Sequence, residues 1–494
     1  MKKILIISLL LQFFVAGVLF SKESPKREFR GAWFPTVVNT TWKNMTTDQI
    51  KEDFIFYLDL FKSLNMNAVI FQVRPQADAL FVSELEPWSR FLTGEQGQEP
   101  VPFFDPAKFV IEECHKRGME MHAWFNPYRV TSSSNEVLAK EHLYFQKPYL
   151  FVHYGNQIYF DPGHPESREH TVKVVEDFVR RYDADAIHFD DYFYPYRVPY
   201  REFPDERSFE LFRKQTGHGP FQKDDWRRNN VDILVKELNE AIKAIKPWVK
   251  FGISPFGVWR NDFMDPMGSQ SSSLQTNYDD LFANILKWTK EKWIDYNAPQ
   301  LYWEIGHKRV DYSNLTKWWS KNRNGVNLYI GQSIWNQLEI MNYNGDVVNQ
   351  LHRKMTIVRN NDSINGNIWW SGLGLASQPT LIDSLKENYQ KHIALMPSYS
   401  HIDSLPPLPV KNLKYKRGLL SWRGQYNGNP MDDPNFFVVY KFGKNDSFDI
   451  ENPKAIIAVI KDNFLKIKRK RGETIVITVL DRCQNESVPT STSF

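Results

Sequence analysis

Residues 186–195 of the chain read Ala186-Ile187-His188-Phe189-Asp190-Asp191-Tyr192-Phe193-Tyr194-Pro195. The apolar run over 186–192 is typical of a buried β-strand, and an amphipathic helical pattern over 165–182 precedes it. A strand that alternates with helices in this way is typical of a parallel sheet that is covered by helices. The stretch therefore predicts one strand of an α/β fold, with two carboxylates at its carboxyl end.

The same unit recurs along most of the chain. Seven further β-rich runs span residues 29–38, 68–74, 120–127, 250–259, 296–303, 327–334 and 366–372. Helical patterns span residues 47–64, 104–117, 165–182, 225–245, 278–293, 312–322, 346–359 and 380–393. Eight strands that are each followed by a helix predict a (β/α)8 TIM barrel, here over residues 27–396.

An open, doubly wound sheet is the alternative α/β architecture. It usually contains fewer units, and its first strand is followed by a glycine-rich turn that cradles phosphate. The first predicted strand here is followed by no such turn, because it contains Phe34-Pro35-Thr36 at the corresponding place. The TIM barrel is therefore the fold that we predict.

The chain changes character after the barrel. Residues 397–409 contain four prolines and are predicted to form a stiff linker. Residues 410–494 contain short β-rich runs and no long helical pattern, which predicts a small all-β sandwich. This segment resembles a fibronectin type III module, and we expect it to act as a spacer or solubilising module rather than in catalysis.

The N-terminus predicts export. Two lysines precede a nearly unbroken apolar run over residues 4–20, so residues 1–21 are predicted to be a secretory signal peptide. An uncleaved membrane anchor is the alternative, since ~17 apolar residues are at the lower limit for a span. No cysteine follows the run to accept a lipid. We expect a secreted, periplasmic or surface-associated protein, without stable membrane insertion once the signal is removed.

The composition is that of a globular protein. Of 494 residues, 42% are hydrophobic and 24% are charged, and the formal net charge is +4. The absence of a basic stripe argues against a nucleic-acid partner. Two cysteines, Cys114 and Cys483, are too few for a disulfide framework. The 15% aromatic content suits stacking on sugars, although it suits packed cores equally well. The sequence leaves the oligomeric state open.

Three carboxylates near predicted strand ends are candidate catalytic residues: Asp190, Asp191 and Glu304. Strand alternation turns Asp190 and Glu304 into the barrel and Asp191 away from it. Two carboxylates across a barrel mouth suit the hydrolysis of a glycosidic bond. The structural alternatives are that Asp191 caps the loop and that Glu304 forms an ion pair in solvent.

Eleven residues at or near strand ends are candidate substrate-binding residues. They are Arg74, Asp78, Asn126, Arg129, His188, Tyr192, Ser254, Gln300, Tyr302, Trp303 and Trp370. We expect Arg74 to bind a carboxylate of the substrate or to steady Asp190. We predict no metal and no cofactor, because the 12 histidines are scattered and no phosphate-binding glycine loop occurs.

Six runs near the predicted strand ends resemble the glycosyl hydrolase-like 10 family, also known as the domain-of-unknown-function 187 group. They are Phe29-Arg30-Gly31-Ala32-Trp33, Phe71-Gln72-Val73-Arg74-Pro75, Trp124-Phe125-Asn126-Pro127-Tyr128-Arg129, Asp161-Pro162-Gly163, Ile187-His188-Phe189-Asp190-Asp191-Tyr192 and Pro299-Gln300-Leu301-Tyr302-Trp303. The resemblance implies a TIM-barrel glycosidase and assigns catalytic positions to Asp190 and Asp191. It also implies a substrate, the glycan strands of peptidoglycan from which the peptides have been removed.

Three hypotheses follow. The first is a secreted glycoside hydrolase of wall glycan, with Asp190 as nucleophile or base, Asp191 or Glu304 as acid, and Arg74 on the lactyl carboxylate of muramic acid. The second is a glycosidase for another dietary or host polysaccharide. The third is a carbohydrate-binding or scaffold protein without catalysis, which the pair of buried charges argues against. In each case the partner is a carbohydrate polymer.

Overall fold

A computed structural model describes most of the chain. The described residues are 24–37, 39–217, 222–335, 337–338, 340–341, 347–468 and 470–493. The predicted signal peptide lies outside them. Within these ranges no helix combines the length and the apolar character that crossing a membrane requires.

Eight parallel strands close into a barrel, which confirms the predicted fold. They are β1 (Phe29–Phe34), β2 (Ala68–Arg74), β3 (Glu120–Phe125), β4 (Ala186–Phe189), β5 (Lys250–Ile253), β6 (Tyr296–Asn297), β7 (Asn327–Ser333) and β8 (Gly366–Trp370). Strand β1 closes the ring, because Phe29 pairs with Gly366 of β8 while Gly31 pairs with Ala68 of β2. The carboxyl ends of all eight strands therefore lie at one mouth of the barrel.

Four strands end at least three residues earlier than the sequence predicts. The runs 29–38, 186–192, 250–259 and 296–303 form continuous strands only as far as Phe34, Phe189, Ile253 and Asn297. In three of them a proline follows within two residues: Pro35 after β1, Pro255 after β5 and Pro299 after β6. Proline has no N–H to donate to a ladder, so the chain leaves the sheet there. The polar residues beyond these points are carried by loops.

Helices cover the outside of the barrel. They are Thr47–Ser63, Arg90–Thr93, Pro106–Lys116, Leu143–Gln146, Pro165–Arg181, Glu206–Thr216, Lys223–Ile245, Ile285–Lys290, Tyr312–Lys321, Gln350–Arg359 and Pro379–Ser384. Shorter helical turns are Trp42–Asn44, Pro148–Leu150, Leu373–Ser377, Leu385–Tyr389 and Pro453–Ala455, and two small hairpins pair Phe151–Tyr154 with Gln157–Phe160 and Ile340–Met341 with Val347–Val348.

Local capping explains where some helices begin. The side chain of Thr46 accepts a hydrogen bond from the backbone N–H of Gln49, and the Gln49 side chain accepts one from the N–H of Thr46, a capping box. The predicted helix over 278–293 is wrong for its first half, and only Ile285–Lys290 is helical. Phe282 has a φ of 54°, which a helix does not contain, and the side chain of Asn284 caps the helix that follows.

The C-terminal segment forms two antiparallel sheets, as the all-β prediction requires. Its strands are β9 (Lys411–Lys416), β10 (Leu419–Arg423), β11 (Phe436–Phe442), β12 (Ile456–Ile460), β13 (Phe464–Lys466), β14 (Thr474–Leu480) and β15 (Thr490–Ser493). The sheet orders are β9-β10-β13 and β12-β11-β14-β15. Leu420 and Trp422 of the first sheet pack on Val439 and Ile477 of the second. The resemblance to fibronectin type III stays a prediction.

This segment closes the amino-terminal end of the barrel. Tyr399, in the region expected to be a linker, is fully buried and its hydroxyl lies 2.6 Å from that of Tyr329. The side chain of Gln484 donates to the carboxylate of Glu120 at the base of β3. Lys250 of β5 binds the same carboxylate at 2.8 Å. A residue of the C-terminal segment thus completes the hydrogen bonding of a charge buried inside the barrel.

We expect Gln484→Met to destabilise the protein. Methionine has a similar shape but no donor, so Glu120 would lose one hydrogen bond inside the barrel while remaining buried, at a cost of about 1–2 kcal/mol. Urea unfolding at pH 7 measures the change. Gln98→Met is the matched control, because Gln98 is exposed. Equal midpoints for the two variants would show that the contact with Glu120 contributes nothing to stability.

Candidate active site

A small pocket opens at the carboxyl ends of the strands. Its volume is about 60 Å³, and its walls combine two carboxylates with aromatic rings and a few polar groups. The lining residues are Trp33, Trp124, Asp190, Asp191, Tyr192, Ser254, Gln300, Tyr302 and Trp370. A concave site at this face, with convergent polar groups, is where barrel enzymes carry out their chemistry.

Asp190 directly follows β4 and is held from two sides. The indole N–H of Trp124 donates to its Oδ2 at 3.1 Å, and the Asn126 amide lies 3.4 Å from the same oxygen. Asn126 is itself fixed, because its Oδ1 accepts the backbone N–H of Arg129 at 2.9 Å. Burial raises the pKa of Asp190 to about 6, although the positive charge of Arg129 acts in the opposite direction.

Asp191 lines the same pocket. The hydroxyl of Tyr196 donates to its Oδ2 at 2.5 Å. Burial, together with the negative charge of Asp190, raises the pKa of Asp191 to about 7. Alternation predicted an outward-facing Asp191. That prediction is wrong, because the strand ends at Phe189 and the two-residue period no longer governs the side chains beyond it.

Three tryptophans wall the pocket. The ring of Trp370 meets those of Trp124 and Trp33 edge to face, at centroid distances of 6.0 and 6.2 Å. Trp33 and Trp124 were not among the predicted binding residues. A signal existed for Trp124, because it lies two positions before Asn126 and therefore faces the barrel interior with it. Trp33, on β1, also faces the barrel interior.

A hydrogen-bonded column lies beneath the pocket. Trp33 donates its indole N–H to Nε2 of His188 at 3.2 Å, and Nδ1 of His188 lies 2.9 Å from the hydroxyl of Tyr296. That hydroxyl lies 2.9 Å from Nδ1 of His122, whose Nε2 lies 3.0 Å from Glu120. Ser254, in the pocket wall, also contacts Nε2 of His188 at 3.0 Å.

The column admits one arrangement of protons. An indole N–H only donates, so Nε2 of His188 accepts and its proton is on Nδ1. The hydroxyl of Tyr296 therefore accepts a hydrogen bond from Nδ1 of His188 and donates one to Nδ1 of His122. The other ring nitrogen of His122, Nε2, donates a hydrogen bond to the Glu120 carboxylate. Burial, with the nearby His122, lowers the pKa of His188 well below its usual range, so the ring is neutral. His188 is therefore a fixed support for the pocket floor.

Comparison with known proteins identifies the family. A family model described as glycosyl hydrolase-like 10 matches residues 28–344. The chain belongs to the glycosyl hydrolase-like 10 family. It is 41% identical over 455 residues to glycosyl hydrolase YngK of Bacillus subtilis, covering 88% of this chain and 87% of that protein. It is 36% identical over 333 residues to glycosyl hydrolase DigH of Escherichia coli K12, covering 63% of this chain and 74% of that protein.

Among solved structures, the chain is similar to the glycoside hydrolase domain of PgaB (BpsB) from Bordetella bronchiseptica. The TM-score is 0.47 and the identity 12%, over 74% of this chain and 99% of that one. The family membership identifies the chain as a glycoside hydrolase-like TIM barrel.

In this member of the glycosyl hydrolase-like 10 family, some of the predicted site residues line the pocket and others do not. Seven of them line the pocket: Asp190, Asp191, Tyr192, Ser254, Gln300, Tyr302 and Trp370. Asn126 and His188 lie behind the wall and hold lining residues in place. Arg129 donates to the carbonyl of Pro75 and lies over the ring of Tyr192, with the guanidinium carbon 5.3 Å from the ring centre.

Arg74 does not reach the pocket, which corrects the expectation that it binds a substrate carboxylate. Its guanidinium is fully buried and donates to Glu86 at 2.7 Å and to the carbonyl of Pro127 at 3.0 Å. Burial alone would raise the pKa of Glu86, but Arg74 and His170 outweigh it and hold that pKa well below its usual range. These contacts hold the Arg74 guanidinium away from the pocket.

Glu304, Trp303 and Asp78 lie away from the pocket walls. Glu304 is half-buried in the loop after β6, and its negative charge acts on Lys354. Trp303 packs its ring edge to face on Phe256, with the centroids 5.5 Å apart. Asp78 is fully buried and accepts from the side chain of Gln96 at 3.3 Å. The two carboxylates that the pocket brings together are therefore Asp190 and Asp191.

Across the described ranges, no group of three or more His, Cys, Asp or Glu side chains is arranged to hold an ion.

Asp191→Asn should stabilise the protein in a pH-dependent way. The folded protein keeps the proton of Asp191 up to about pH 7, whereas an unfolded carboxyl loses it near pH 4. The free energy of unfolding of the wild type therefore falls as the pH rises between these values. The difference in free energy of unfolding between the variant and the wild type should therefore grow by about 2 kcal/mol from pH 5 to pH 8.

Chemical denaturation at both pH values measures this difference. Asp262→Asn is the control, because Asp262 is exposed and should follow the wild type. An Asp191→Asn variant whose advantage is the same at both pH values would contradict the raised pKa.

Proposed function

We propose that this protein is an exported glycoside hydrolase that cleaves the glycan strands of peptidoglycan after their peptides have been removed. The observation that carries the proposal is the pair Asp190 and Asp191, buried together in an indole-walled pocket at the carboxyl ends of the barrel strands. No cation pairs directly with either carboxylate among the ion pairs of the described residues. Such groups are costly to bury, and catalytic sites are where proteins keep them.

The pocket suits acid–base chemistry near neutral pH. A carboxyl group with a pKa near 7 can donate a proton to a leaving oxygen, and a neighbour with a lower pKa can act as an anion. Asp191 is assigned the acid role and Asp190 the anionic role, since the pKa of Asp191 is raised further, to about 7 against about 6. The flat indoles provide surfaces on which sugar rings stack.

The substrate rests on the family resemblance and on the predicted signal peptide. A signal peptide would bring the mature protein to the cell wall, as a secreted, periplasmic or surface-associated enzyme. Another polysaccharide is the second candidate, and the same pocket would serve it. A binding protein without catalysis is disfavoured, because binding alone gives no reason to bury two adjacent carboxylates.

The first test is the product analysis of peptide-free glycan strands. The wild type should release sugar fragments, and Asp190→Asn should lower kcat by on the order of 10³-fold, since an essential carboxylate is lost. Its Tm should not fall, because the variant removes a buried charge. Mass spectrometry reports the fragments, and a product lighter by one water would reveal a lytic reaction.

Asp262→Asn serves as the control and should keep full activity. Wild-type activity in Asp190→Asn would remove Asp190 from the mechanism. Cleavage of other glycans but not of wall strands would favour the second candidate, and saturable binding without any product would favour the third.

The pH dependence of kcat/KM provides an independent check. Activity should be highest between about pH 6 and 7, where Asp190 is ionised and Asp191 still carries its proton. The Tyr196 hydroxyl stabilises the charged form of Asp191, so Tyr196→Phe should raise the pKa of Asp191 and move the alkaline limb to higher pH. Tyr200→Phe, at a fully exposed position, should leave both limbs in place.

A further inference from the structure

The two carboxylates of the pocket come from consecutive residues. Consecutive Cα atoms are about 3.8 Å apart, and both side chains line one cavity of about 60 Å³. A glycosidase that uses two carboxylates needs them on opposite sides of the anomeric carbon, about 5–10 Å apart. No third Asp or Glu is among the pocket-lining residues of the described chain. The pocket therefore offers an acid and an anion from one point of the chain and, among the described residues that line it, no third carboxylate to act as a nucleophile opposite them.

The cavity is small. A space of about 10–15 Å³ on the same scale holds one water molecule, so about 60 Å³ has room for a group of a few heavy atoms. The indoles of Trp33, Trp124 and Trp370 give it apolar walls. Two of the three indole N–H groups already donate hydrogen bonds, that of Trp33 to His188 and that of Trp124 to Asp190. A methyl group between these rings would replace water at no loss of hydrogen bonds.

The same cavity offers an acceptor and a donor. The carboxylate of Asp190 can accept an N–H. The phenol of Tyr302 is half-buried beside Asp190 and Asp191, and none of the described residues makes a hydrogen bond to its hydroxyl. Indole walls together with an acceptor and a donor match an acetamido group, which has a methyl, an N–H and a carbonyl oxygen.

We propose that the pocket floor is a subsite for the 2-acetamido group of the sugar whose bond is cleaved, and that the carbonyl oxygen of this group is the nucleophile. This inference rests on the proposed function. It restricts the substrates to glycans whose cleaved sugar is N-acetylated, a condition that every sugar of an unmodified peptidoglycan strand meets. It also explains how a site whose two carboxylates come from consecutive residues can cleave a glycosidic bond.

The reaction balances in two steps. First, the bond between C1 and the leaving oxygen breaks, the electron pair stays on that oxygen, and Asp191 gives it a proton. The acetamido oxygen bonds to C1, and the resulting oxazolinium ring donates its N–H to the Asp190 carboxylate. Second, water bonds to C1, its proton returns to Asp191, and the bond between C1 and the acetamido oxygen breaks. The product keeps the configuration of the substrate at C1.

The protonation of the pair agrees with these roles. Burial raises the pKa of both carboxyl groups, and the charge of Asp190 raises that of Asp191 further. Asp190 can therefore be an anion while Asp191 is still an acid. Asn126, Trp124 and the backbone N–H of Tyr192 point donors at Asp190, as an anion requires, and Arg129 is the nearest positive charge acting on it.

The first experiment changes only the acyl group of the substrate. Peptide-free strands are N-deacetylated and then acylated again with acetyl, fluoroacetyl or trifluoroacetyl groups, which are similar in size. Fluorine withdraws electrons from the carbonyl oxygen, so kcat should fall with each fluorine and by at least 10-fold for trifluoroacetyl. Equal rates for all three would overturn the inference and leave the proposed function intact.

The second experiment needs no turnover. The 1,2-thiazoline of N-acetylglucosamine copies the shape of the oxazolinium ring, and calorimetry should show it binding at least 100-fold more tightly than N-acetylglucosamine. Tyr302→Phe should weaken thiazoline binding, whereas Tyr426→Phe, at an exposed position in the C-terminal segment, should not. Thiazoline binding no tighter than that of the sugar would overturn the inference, even if no glycan were cleaved.

A third measurement distinguishes the competing mechanism. A 2-deoxy-2-fluoro glycoside lacks the acetamido group and traps enzymes that use a carboxylate as nucleophile. We expect intact mass spectrometry to show no covalent adduct on the wild type. A glycosyl adduct on Asp190 would replace the acetamido group with Asp190 as the nucleophile. Failure of the proposed function would look different, since no glycan of any acylation state would then be cleaved.

Discussion

The structure depends on a column of buried polar groups whose hydrogen bonds are all made. Glu120, His122, Tyr296 and His188 fill the lower part of the barrel, from its base to the pocket floor. A carboxylate in this place without partners would cost several kcal/mol. Lys250 and Gln484 supply those partners, so the barrel and the C-terminal segment are joined at a buried charge. The column also holds Trp33 and Ser254, two walls of the pocket.

The carboxyl groups of the pocket above the column differ from other buried carboxylates in how their charge is balanced. Deep in the fold, Glu86 is matched by Arg74 and His170, and its pKa is held down. Asp190 and Asp191 are as deeply buried, but they face each other and a set of neutral donors, so their pKa values rise. The contrast is between a charge that is paired and two adjacent carboxyl groups that are not. It is the physical basis of the function proposed here.

Sequence patterns predicted the strands better than the site. The eight strand starts follow from β-rich runs between helices, and β2 runs over 68–74 as expected. The ends of the strands were harder to predict than their starts, because alternation carries no information on where strand pairing stops. The early end of β4 places Asp191 in the pocket, and prolines end β5 and β6 in the same way. Arg74 was misjudged because its partner, Glu86, belongs to a loop whose path the pattern does not show.

The sequence by itself determined the barrel, the all-β segment that follows it and the choice of Asp190 and Asp191 as candidate catalytic residues. These features depend on local periodicity and on a motif within one stretch of chain. Only the tertiary structure decided which side chains meet: that Trp33, Trp124 and Trp370 enclose the acidic pair, that Glu304 stays outside, and that Gln484 reaches Glu120. Such contacts join residues up to 364 positions apart, and packing and burial in three dimensions select them.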